Sequence, residues 1–462
     1  MERGNFGTKI GVILATAGSA VGLGNIWRFP YMTGQNGGAA FILIYILCVI
    51  MFGIPGMVSE FIVGRHGAAN AARAYKIIGG HKAWALVGIV GAITSMIILG
   101  FYAVVAGWCM QYLFASIFGG INGDAAYVAE YFKTFSSDAI KPTLWGITFI
   151  LLTHLVVQNG VRNGIEKVSN LLMPCLFILL IIIVIAACLQ PGAEKGIEFL
   201  LKPDFSKLNR NIFLEALGQA FFSLSLGTAC LCTYASYFSR QTNLMKSAAQ
   251  IAGIDTIVAI LAGLMIFPAA FSVGVNPDCG PSLIFITLPN VFQQAFGGVH
   301  IIGYIIAILF YALLVLAALT STISMHEIGT AFFFEELSRK KKGIFSHMNV
   351  SRKGGAWIES IICIIICIFC SLSMGGVKNL TLFNMSILDF CDFFTAQILL
   401  PLGAFVTCIL VGWYVPKKVI RDEFTNWGTI RSTLFDIYLF AVRFICPICI
   451  IAIELYQTGL LK

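Results

Sequence analysis

The stretch Ala15–Tyr31, "ATAGSAVGLGNIWRFPY", lies inside the first long apolar segment of the chain. It combines several glycines with an asparagine, an arginine and a proline, which are residues that weaken a helix or resist burial in lipid. Backbone polar groups inside a bilayer must be paired, so a break is tolerated only where the freed backbone is buried in protein or faces a cavity. The glycines alone would also fit close helix packing through small residues. Asn25 and Arg28 beside them favour an interrupted membrane helix whose peptide groups bind a ligand.

The composition of the whole chain agrees with a membrane protein. Of its 462 residues, 58% are hydrophobic and 11% are charged. Charged residues make up about a quarter of a typical soluble domain. Because this chain has less than half that fraction, we expect a polytopic membrane protein. The fourteen cysteines are scattered through apolar runs without a metal-binding spacing, and we interpret them as packing residues.

The apolar segments predict an all-α protein with eleven transmembrane helices, because about 20 apolar residues cross a bilayer as a helix. The predicted spans are 10–33, 38–63, 84–117, 143–157, 166–189, 211–237, 247–273, 300–334, 356–374, 386–414 and 434–457. Residues 281–296 are too short and too rich in proline to span, and they are predicted to form a re-entrant or surface helix pair.

Loop charge predicts the orientation of these spans. With the N-terminus in the cytoplasm, the inner segments carry 20 basic residues and the outer segments carry eight. Cytoplasmic loops of membrane proteins are enriched in lysine and arginine, so we expect a cytoplasmic N-terminus and an outer C-terminus. The same asymmetry explains the net charge of +8 without any nucleic-acid partner.

A second interrupted span follows near the middle of the chain, in "GQAFFSLSLGTACLCTYASYFS" (218–239). The first and sixth spans hold matching places in two five-span sets, at about 10–189 and about 211–414, with an extra helix at about 434–457. Five is odd, so the two sets have opposite orientations. Broken helices at matching places in inverted repeats indicate a transport site at the membrane midplane.

At these residues the chain resembles the neurotransmitter:sodium symporter family, in particular its bacterial amino-acid transporters. The motifs that carry the resemblance include "GSAVGLGNIWRFPY", "NGGAAFILIY", "GIPGMVSEFIVGR", "FFSLSLG", "FITLPNVF" and "ALTS". The resemblance implies a single transmembrane transporter domain over residues 1–462 in a bacterial plasma membrane. It further implies a symporter that uses sodium to import an amino acid by alternating access.

The resemblance also implies two sodium sites. The first sodium site would contain the substrate carboxylate together with Ala20, Asn25, Ser223 and the nearby Asp255. The second sodium site would contain the carbonyl groups of Gly18, Val21 and Ala317 and the hydroxyl groups of Thr320 and Ser321. All of these groups offer the hard oxygen ligands that an alkali cation prefers.

Asp255 departs from the family pattern, because many members carry asparagine at about this place. Ile254 is the other residue of this chain that could align with that asparagine. Animal members bind chloride close by, and a carboxylate would supply that negative charge instead. We therefore expect no chloride requirement. The alternative is that Asp255 reaches the aqueous edge of the seventh span.

The substrate pocket implied by the resemblance contains Ala20, Gly22, Gly24, Ile98, Tyr102, Phe222, Ser223, Ser225, Thr228 and Met325. Tyr102 would donate to the substrate carboxylate, and Ser225 with nearby carbonyl groups would accept from the ammonium group. Monoamine carriers place aspartate at the position of Gly22, so glycine here favours an α-amino acid. Thr228 replaces a phenylalanine of some relatives, and the extra room favours large hydrophobic or aromatic amino acids.

Two groups of residues resemble the gates of the family. Arg28 and Asp392 resemble the outer gate, with Asp389 as the alternative acidic partner. The inner gate would consist of Arg3, Ser236, Tyr237 and Glu335.

The alternative to a symporter is a membrane sensor of the same fold, which would bind an amino acid without moving it. An enzyme is not expected, because His154 and His326 stand alone in the sequence without a base and a nucleophile, and the chain lacks a phosphate-binding GxxxxGK[ST] motif.

Overall fold

The computed structural model describes residues 6–121, 125–207, 210–274, 283–295, 300–339, 350–377, 379–431 and 433–457. These residues are almost entirely helical, and a short antiparallel hairpin pairs β1 (Thr381–Leu382) with β2 (Met385–Ser386). The α-helices are α1 (Lys9–Ala20), α2 (Phe29–Gln35), α3 (Ala39–Cys48), α4 (Ile54–Gly67), α5 (Ala71–Gly79), α6 (Ala85–Ile117), α7 (Ala125–Ser136), α8 (Lys141–Val157), α9 (Lys167–Cys188), α10 (Glu194–Leu201), α11 (Arg210–Ser223), α12 (Cys230–Ala235), α13 (Leu244–Ser272), α14 (Leu288–Ala295), α15 (His300–Arg339), α16 (Arg352–Ser371), α17 (Ile387–Phe394), α18 (Leu400–Ile409), α19 (Lys417–Phe424), α20 (Phe435–Phe440) and α21 (Cys446–Gln457).

Short π-helical segments continue or join many of these helices, so several membrane spans consist of more than one element. The π-helical segments are Gly24–Arg28, Val49–Gly53, Val161–Glu166, Leu283–Thr287, Leu372–Gly376, Thr395–Leu399, Leu410–Tyr414 and Ala441–Ile445. Single turns of 3₁₀-helix lie at Lys82–Trp84 and Phe205–Lys207.

The helices coincide with the predicted spans. Eight helical stretches of the described residues are long and apolar enough to cross a membrane, and two further pairs qualify together although they are bent. The first pair joins Lys9–Ala20 to Gly24–Gln35 at an angle of 54°. The second joins Ala126–Ser136 to Lys141–Val157 at 72° and contains the predicted fourth span. The all-α architecture with a broken first helix is therefore confirmed, whereas the count of eleven crossings stays a prediction.

Lipid accounts for the apolar residues that the fold leaves exposed. Ile361, Ile365 and Phe369 recur along one face of α16 and are 53%, 49% and 50% exposed. Buried cysteines, including Cys363 and Cys367, occupy the opposite face of the same helix. A helix with apolar residues on both faces suits a position between a protein core and hydrocarbon.

The prediction of a helix pair at 281–296 is wrong for the described part of that segment. Residues 283–295 form one continuous helical element, made of the π-helical segment and α14. This element is buried rather than superficial: the Phe285 ring stacks on Phe132 with centroids 5.3 Å apart, and the Tyr311 hydroxyl donates to the Ile284 carbonyl at 2.8 Å. Pro289 does not interrupt it: a proline has no main-chain N–H to donate, and the Ile284 carbonyl, five residues earlier, accepts from Tyr311 instead.

Close helix contacts depend on glycine at several positions, and Gly64 is one of them. Gly64 of α4 packs against α12, and a Cβ atom added there would overlap the carbonyl group of Cys232. The obstacle is backbone rather than a movable side chain, so α4 and α12 would have to separate.

We predict that Gly64→Ala destabilises the protein by about 1–3 kcal/mol through this overlap. The matched control is Gly253→Ala in α13, because nothing lies within 4 Å of a Cβ atom at that position. The thermal midpoint of the purified protein in detergent measures the effect. Equal midpoints for Gly64→Ala and the wild type would contradict the predicted contact.

Candidate functional site

The first helix break lies at residues 21–23. Helix α1 ends at Ala20, and Val21 has extended backbone angles, with φ −71° and ψ 109°. The side-chain oxygen of Asn25 accepts from the peptide N–H of Gly22 at 3.0 Å, so it takes the place of a missing helical carbonyl. The chain resumes as a π-helical turn at Gly24. The break therefore removes main-chain groups from helical hydrogen bonding at the position that the sequence predicted, and side chains bind them instead.

The second break separates α11 from α12. Helix α11 ends at Ser223 and α12 begins at Cys230. Between them Ser225, Gly227 and Ala229 have φ values of 54°, 82° and 59°. Left-handed angles are costly for residues other than glycine, and such strain persists where the surrounding structure fixes the backbone.

Glu60 of α4 holds the second break open, and the sequence analysis missed this role. Its carboxyl group accepts from the N–H of Gly227 at 2.7 Å and from the N–H of Cys232 at 3.4 Å. Glu60 is 1% exposed. A buried acidic residue in the second apolar span was the available signal, because such a residue needs partners inside the protein.

The two breaks meet through one buried hydrogen-bond cluster. The amide nitrogen of Asn25 donates to Asp255 at 2.7 Å and to the Ser223 hydroxyl at 3.1 Å. The Ser223 hydroxyl in turn donates to Asp255 at 2.8 Å. Three residues predicted for the first sodium site are therefore in direct contact, and Ala20 is buried at the adjacent helix end.

Asp255 lies in the interior rather than at a membrane surface. It is 0% exposed, so the alternative that its carboxyl group reaches the aqueous edge is wrong. The hydroxyl of Tyr45 also donates to it, at 3.1 Å. The sequence analysis did not select Tyr45, because its partner is 210 residues away in the chain.

The residues predicted for the second sodium site also lie together. The Thr320 hydroxyl donates to the Ala317 carbonyl at 2.9 Å and lies 3.4 Å from the Val21 carbonyl. The Ser321 hydroxyl donates to the same Val21 carbonyl at 3.2 Å. A Cβ atom on Gly18 would lie 3.3 Å from the Cβ of Thr320, so α1 and α15 are in contact here. The cluster offers only carbonyl and hydroxyl oxygens, which fit an alkali cation.

Tyr102 connects α6 to the first break. Its hydroxyl oxygen accepts from the N–H of Leu23 at 3.0 Å, which leaves its own hydrogen for another acceptor. Gly22 faces the same place: a Cβ atom there would lie 3.0 Å from the Tyr102 hydroxyl and would overlap the Ser321 hydroxyl. The site therefore excludes a side chain at position 22 and offers a donor in its place.

The other predicted pocket residues come from α6, from α15 and from the second break. The Ser95 hydroxyl ties α6 to the Met325 carbonyl at 3.3 Å, and Ile98 is buried one turn further along α6. The Thr228 hydroxyl donates to the Ser225 carbonyl at 2.8 Å and accepts from the N–H of Cys230 at 3.0 Å. Because its hydroxyl is used by the backbone, Thr228 has only its methyl group to offer a ligand.

Arg28 lies on the predicted outer side of this region. Its guanidinium carbon is 4.3 Å from the centroid of the Phe222 ring, and a Cβ atom on Gly24 would touch the same ring at 3.1 Å. Asp392 is the carboxylate with the strongest electrostatic influence on Arg28, yet among the ion pairs of the described residues none joins the two within 4.0 Å. A cation over an aromatic face is a favourable contact that does not require that ion pair.

The alternative partner, Asp389, has a different role. Its N–H donates to the Ser386 hydroxyl at 3.0 Å, and the same hydroxyl donates to its carboxylate at 2.7 Å. This reciprocal pair caps the N-terminus of α17. Of the two acidic residues, Asp392 therefore fits the outer-gate prediction better.

The predicted inner-gate residues make contacts that the sequence did not indicate. The Tyr237 hydroxyl donates to Glu327 at 2.6 Å, and Arg352 forms an ion pair with the same carboxylate. Glu335 accepts from the N–H and the side-chain amide of Asn70 at 2.9 Å and 3.0 Å. The Ser236 hydroxyl donates to the Thr233 carbonyl of its own helix. Arg3 lies outside the described residues.

The expectation that His154 and His326 stand alone is wrong. His154 Nδ1 and His326 Nε2 lie 2.9 Å and 2.7 Å from the Ser360 hydroxyl oxygen. The three side chains join α8, α15 and α16, and all are buried. Pairing across three helices cannot be read from sequence spacing.

The chain is similar in sequence to known membrane transporters. The sequence profile of the Sodium:neurotransmitter symporter family matches residues 3–126 and 133–459. The uncharacterized sodium-dependent transporter YhdH of Bacillus subtilis is 38% identical over 457 residues, with 98% of each chain covered. An uncharacterized sodium-dependent transporter of Methanocaldococcus jannaschii is 31% identical, covering 98% of this chain and 90% of its own.

Among solved structures, the crystal structure of MhsT in complex with L-phenylalanine matches with a TM-score of 0.87 and 36% sequence identity. The match covers 99% of this chain and 100% of the MhsT chain. The arrangement of the helices is therefore shared along the whole length.

Proposed function

Since the chain belongs to the sodium:neurotransmitter symporter family, we propose that it imports a large hydrophobic or aromatic L-amino acid together with sodium by alternating access. The family assignment makes it an integral membrane, sodium-dependent transporter and not an enzyme. The observation that carries the proposal is the direct contact of the two helix breaks through Asn25, Ser223 and Asp255.

The proposal includes two sodium sites. The first would use the Ala20 carbonyl with Asn25, Ser223 and the substrate carboxylate, and Asp255 would balance its charge. Because the substrate completes this shell, sodium and substrate would stabilise each other's binding, and such coupling is reciprocal. The oxygen atoms of this cluster now accept hydrogen bonds from one another's side chains and from the backbone. Bound sodium would replace some of those hydrogen bonds.

The second sodium ion would lie between α1 and α15. Its ligands would be the carbonyl groups of Gly18, Val21 and Ala317 and the hydroxyl groups of Thr320 and Ser321. The contacts of Thr320 and Ser321 with Val21 support this arrangement, since an ion there would hold the inner half of the broken helix against α15.

Three features support an aromatic or large hydrophobic α-amino acid. The Tyr102 hydroxyl, which accepts from Leu23 and lies beside Ser321, could turn its hydrogen to the substrate carboxylate, and Gly22 leaves no protein carboxylate to bind a bare amine. The methyl group of Thr228 with Ile98 and Met325 gives an apolar wall. The structural relative MhsT was solved with L-phenylalanine, which is a member of the proposed substrate class.

Alternating access would use the two inverted repeats, at about 10–189 and about 211–414, and the gates at Arg28 and Asp392 outside and at Tyr237 and Glu335 inside. We place the N-terminus in the cytoplasm and the C-terminus outside, in a bacterial plasma membrane. A buried ion pair offsets the cost of leaving water only when its two groups are in direct, well-oriented contact, so the outer gate would close as Arg28 and Asp392 come together.

The first prediction concerns transport itself. Proteoliposomes with an inward sodium gradient are expected to accumulate labelled L-phenylalanine, and unlabelled tryptophan, tyrosine and leucine should compete. A potassium gradient is the control. Sodium-stabilised binding without accumulation would support a sensor instead, and a preference for glycine or acidic amino acids would contradict the proposed pocket.

The second prediction concerns the second sodium ion. Ser321→Ala is expected to raise the sodium concentration for half-maximal stabilisation at least about tenfold, which corresponds to about 1.4 kcal/mol. Sodium-dependent shifts of the thermal midpoint report this affinity without any substrate. The matched control is Thr322→Ala on the same helix, whose hydroxyl contacts Thr153 rather than Val21. An unchanged sodium response in Ser321→Ala would remove Ser321 from the ion shell.

The third prediction concerns chloride. Replacing chloride by gluconate is expected to leave wild-type uptake unchanged, whereas Asp255→Ala should need chloride because the variant lacks the fixed negative charge. Glu198→Ala serves as the control, since Glu198 is 60% exposed and pairs with Lys202 at the surface. Chloride-independent uptake by both the wild type and Asp255→Ala would refute the role given to Asp255.

A further inference from the structure

A buried acidic residue lies away from both proposed sodium sites. Glu359 of α16 is 0% exposed. Within the described part of the chain, its carboxyl group has one hydrogen bond, from the Cys363 thiol to Oε1 at 3.4 Å, and Oε2 has no partner. Oε2 packs directly on Gly329 of α15, where an added Cβ atom would overlap it. Neither of the proposed sodium sites uses this group.

The charged and titratable groups around Glu359 have other partners. On α15, Glu327 accepts from Tyr237 and pairs with Arg352 of α16. His326 of α15 and His154 of α8 both face Ser360, whose own hydroxyl hydrogen goes to the Ala356 carbonyl at 2.9 Å. The second ring nitrogens do not pair with Glu359 either: His326 Nδ1 lies 3.0 Å from the Thr330 hydroxyl, and His154 Nε2 has no hydrogen-bond partner among the described residues.

An ionised carboxylate in this position would be left with a weak thiol donor and no counter-ion. Burying an isolated charge costs several kcal/mol or more, so such a group takes up a proton instead. We propose that Glu359 is a proton-binding site that exchanges its proton with the cytoplasm and makes the packing of α15 against α16 depend on pH.

The position of the site links it to the proposed substrate pocket. Gly329 is one helical turn beyond Met325 on α15. The Cys363 thiol also contacts the Met96 carbonyl of α6 at 3.7 Å, and the neighbouring Ser95 bonds to the Met325 carbonyl. Glu359 therefore lies behind one wall of that pocket. This link rests on the proposed function, whereas the proton site itself does not.

The proton would leave through one end of α16. Arg352 lies two helical turns from Glu359 on this helix, and its side chain is 23% exposed. In the proposed orientation this end of α16 faces the cytoplasm. When the carboxyl O–H bond breaks, the proton passes to cytoplasmic water and the carboxylate stays on Glu359. The carboxylate then needs hydration, which separates α15 from α16 at Gly329.

The sign of the pH effect follows from linkage. The packed state holds the proton and the hydrated state releases it, so the stability of the packed state is present at low pH and is lost as the pH rises. Titration of the purified full-length protein in detergent, from about pH 6 to about pH 9, covers the range in which buried glutamates are known to ionise. No substrate is added.

The test compares the wild type with Glu359→Gln, which imitates the protonated carboxyl group. We expect the wild-type thermal midpoint to fall by several degrees more than that of Glu359→Gln as the pH rises. Infrared spectra at neutral pH should show a protonated carboxyl band in the wild type that the variant lacks. The control is Glu198→Gln, because Glu198 is 60% exposed and pairs with Lys202 at the surface. Superimposable pH profiles of the wild type and Glu359→Gln would overturn the proposal.

A second variant keeps the test decisive if Glu359→Gln does not fold. Cys363→Ser places a stronger donor beside the carboxyl group, which stabilises its ionised form, so the alkaline transition should move to lower pH. A transition at the wild-type pH would overturn the proposal. Both readouts work without transport, so a failure of the proposed amino-acid import would leave this test unaffected.

Discussion

The structure depends on one constraint: peptide groups that leave a helix inside an apolar medium must find partners within the protein. Each of the two breaks meets it with a buried polar side chain. Asn25 accepts from Gly22 at the first break, and Glu60 accepts from Gly227 at the second. With these donors satisfied, the Val21 carbonyl is left to the hydroxyl groups of Thr320 and Ser321, and a cation could replace their hydrogens.

The same constraint explains why the two breaks lie side by side. Asn25, Ser223 and Asp255 share their hydrogen bonds across three helices, so neither broken helix is satisfied alone. α15 adds Thr320 and Ser321 from the other side of the first break. A ligand that replaces these internal bonds would act on both broken helices together, which is what coupled transport requires. Glu359 is the contrasting case, because its carboxyl group lacks such partners and a proton has to remove its charge.

Much of this arrangement could be predicted from the sequence, because it depends on local composition. Hydropathy located the spans, and glycines beside Asn25 and Ser225 located the breaks. The roles of Glu60 and Tyr45 could not be predicted, since their partners are 167 and 210 residues away. The ion pair between Arg352 and Glu327 was missed because Arg352 reads as a loop residue at the start of an apolar run. At 283–295, prolines suggested two helices where one is found, because the Ile284 carbonyl before Pro289 has a side-chain donor, Tyr311, from a helix further along the chain.

An experimental structure of the sodium-loaded protein with L-phenylalanine tests the account most directly. Thallium in place of sodium would mark the cations by their anomalous scattering. The account predicts one cation between the Ala20 carbonyl, Asn25, Ser223 and the substrate carboxylate, and another between Val21, Thr320 and Ser321. Continuous helices through residues 20–25 and 223–230, or cations bound only elsewhere, would contradict it.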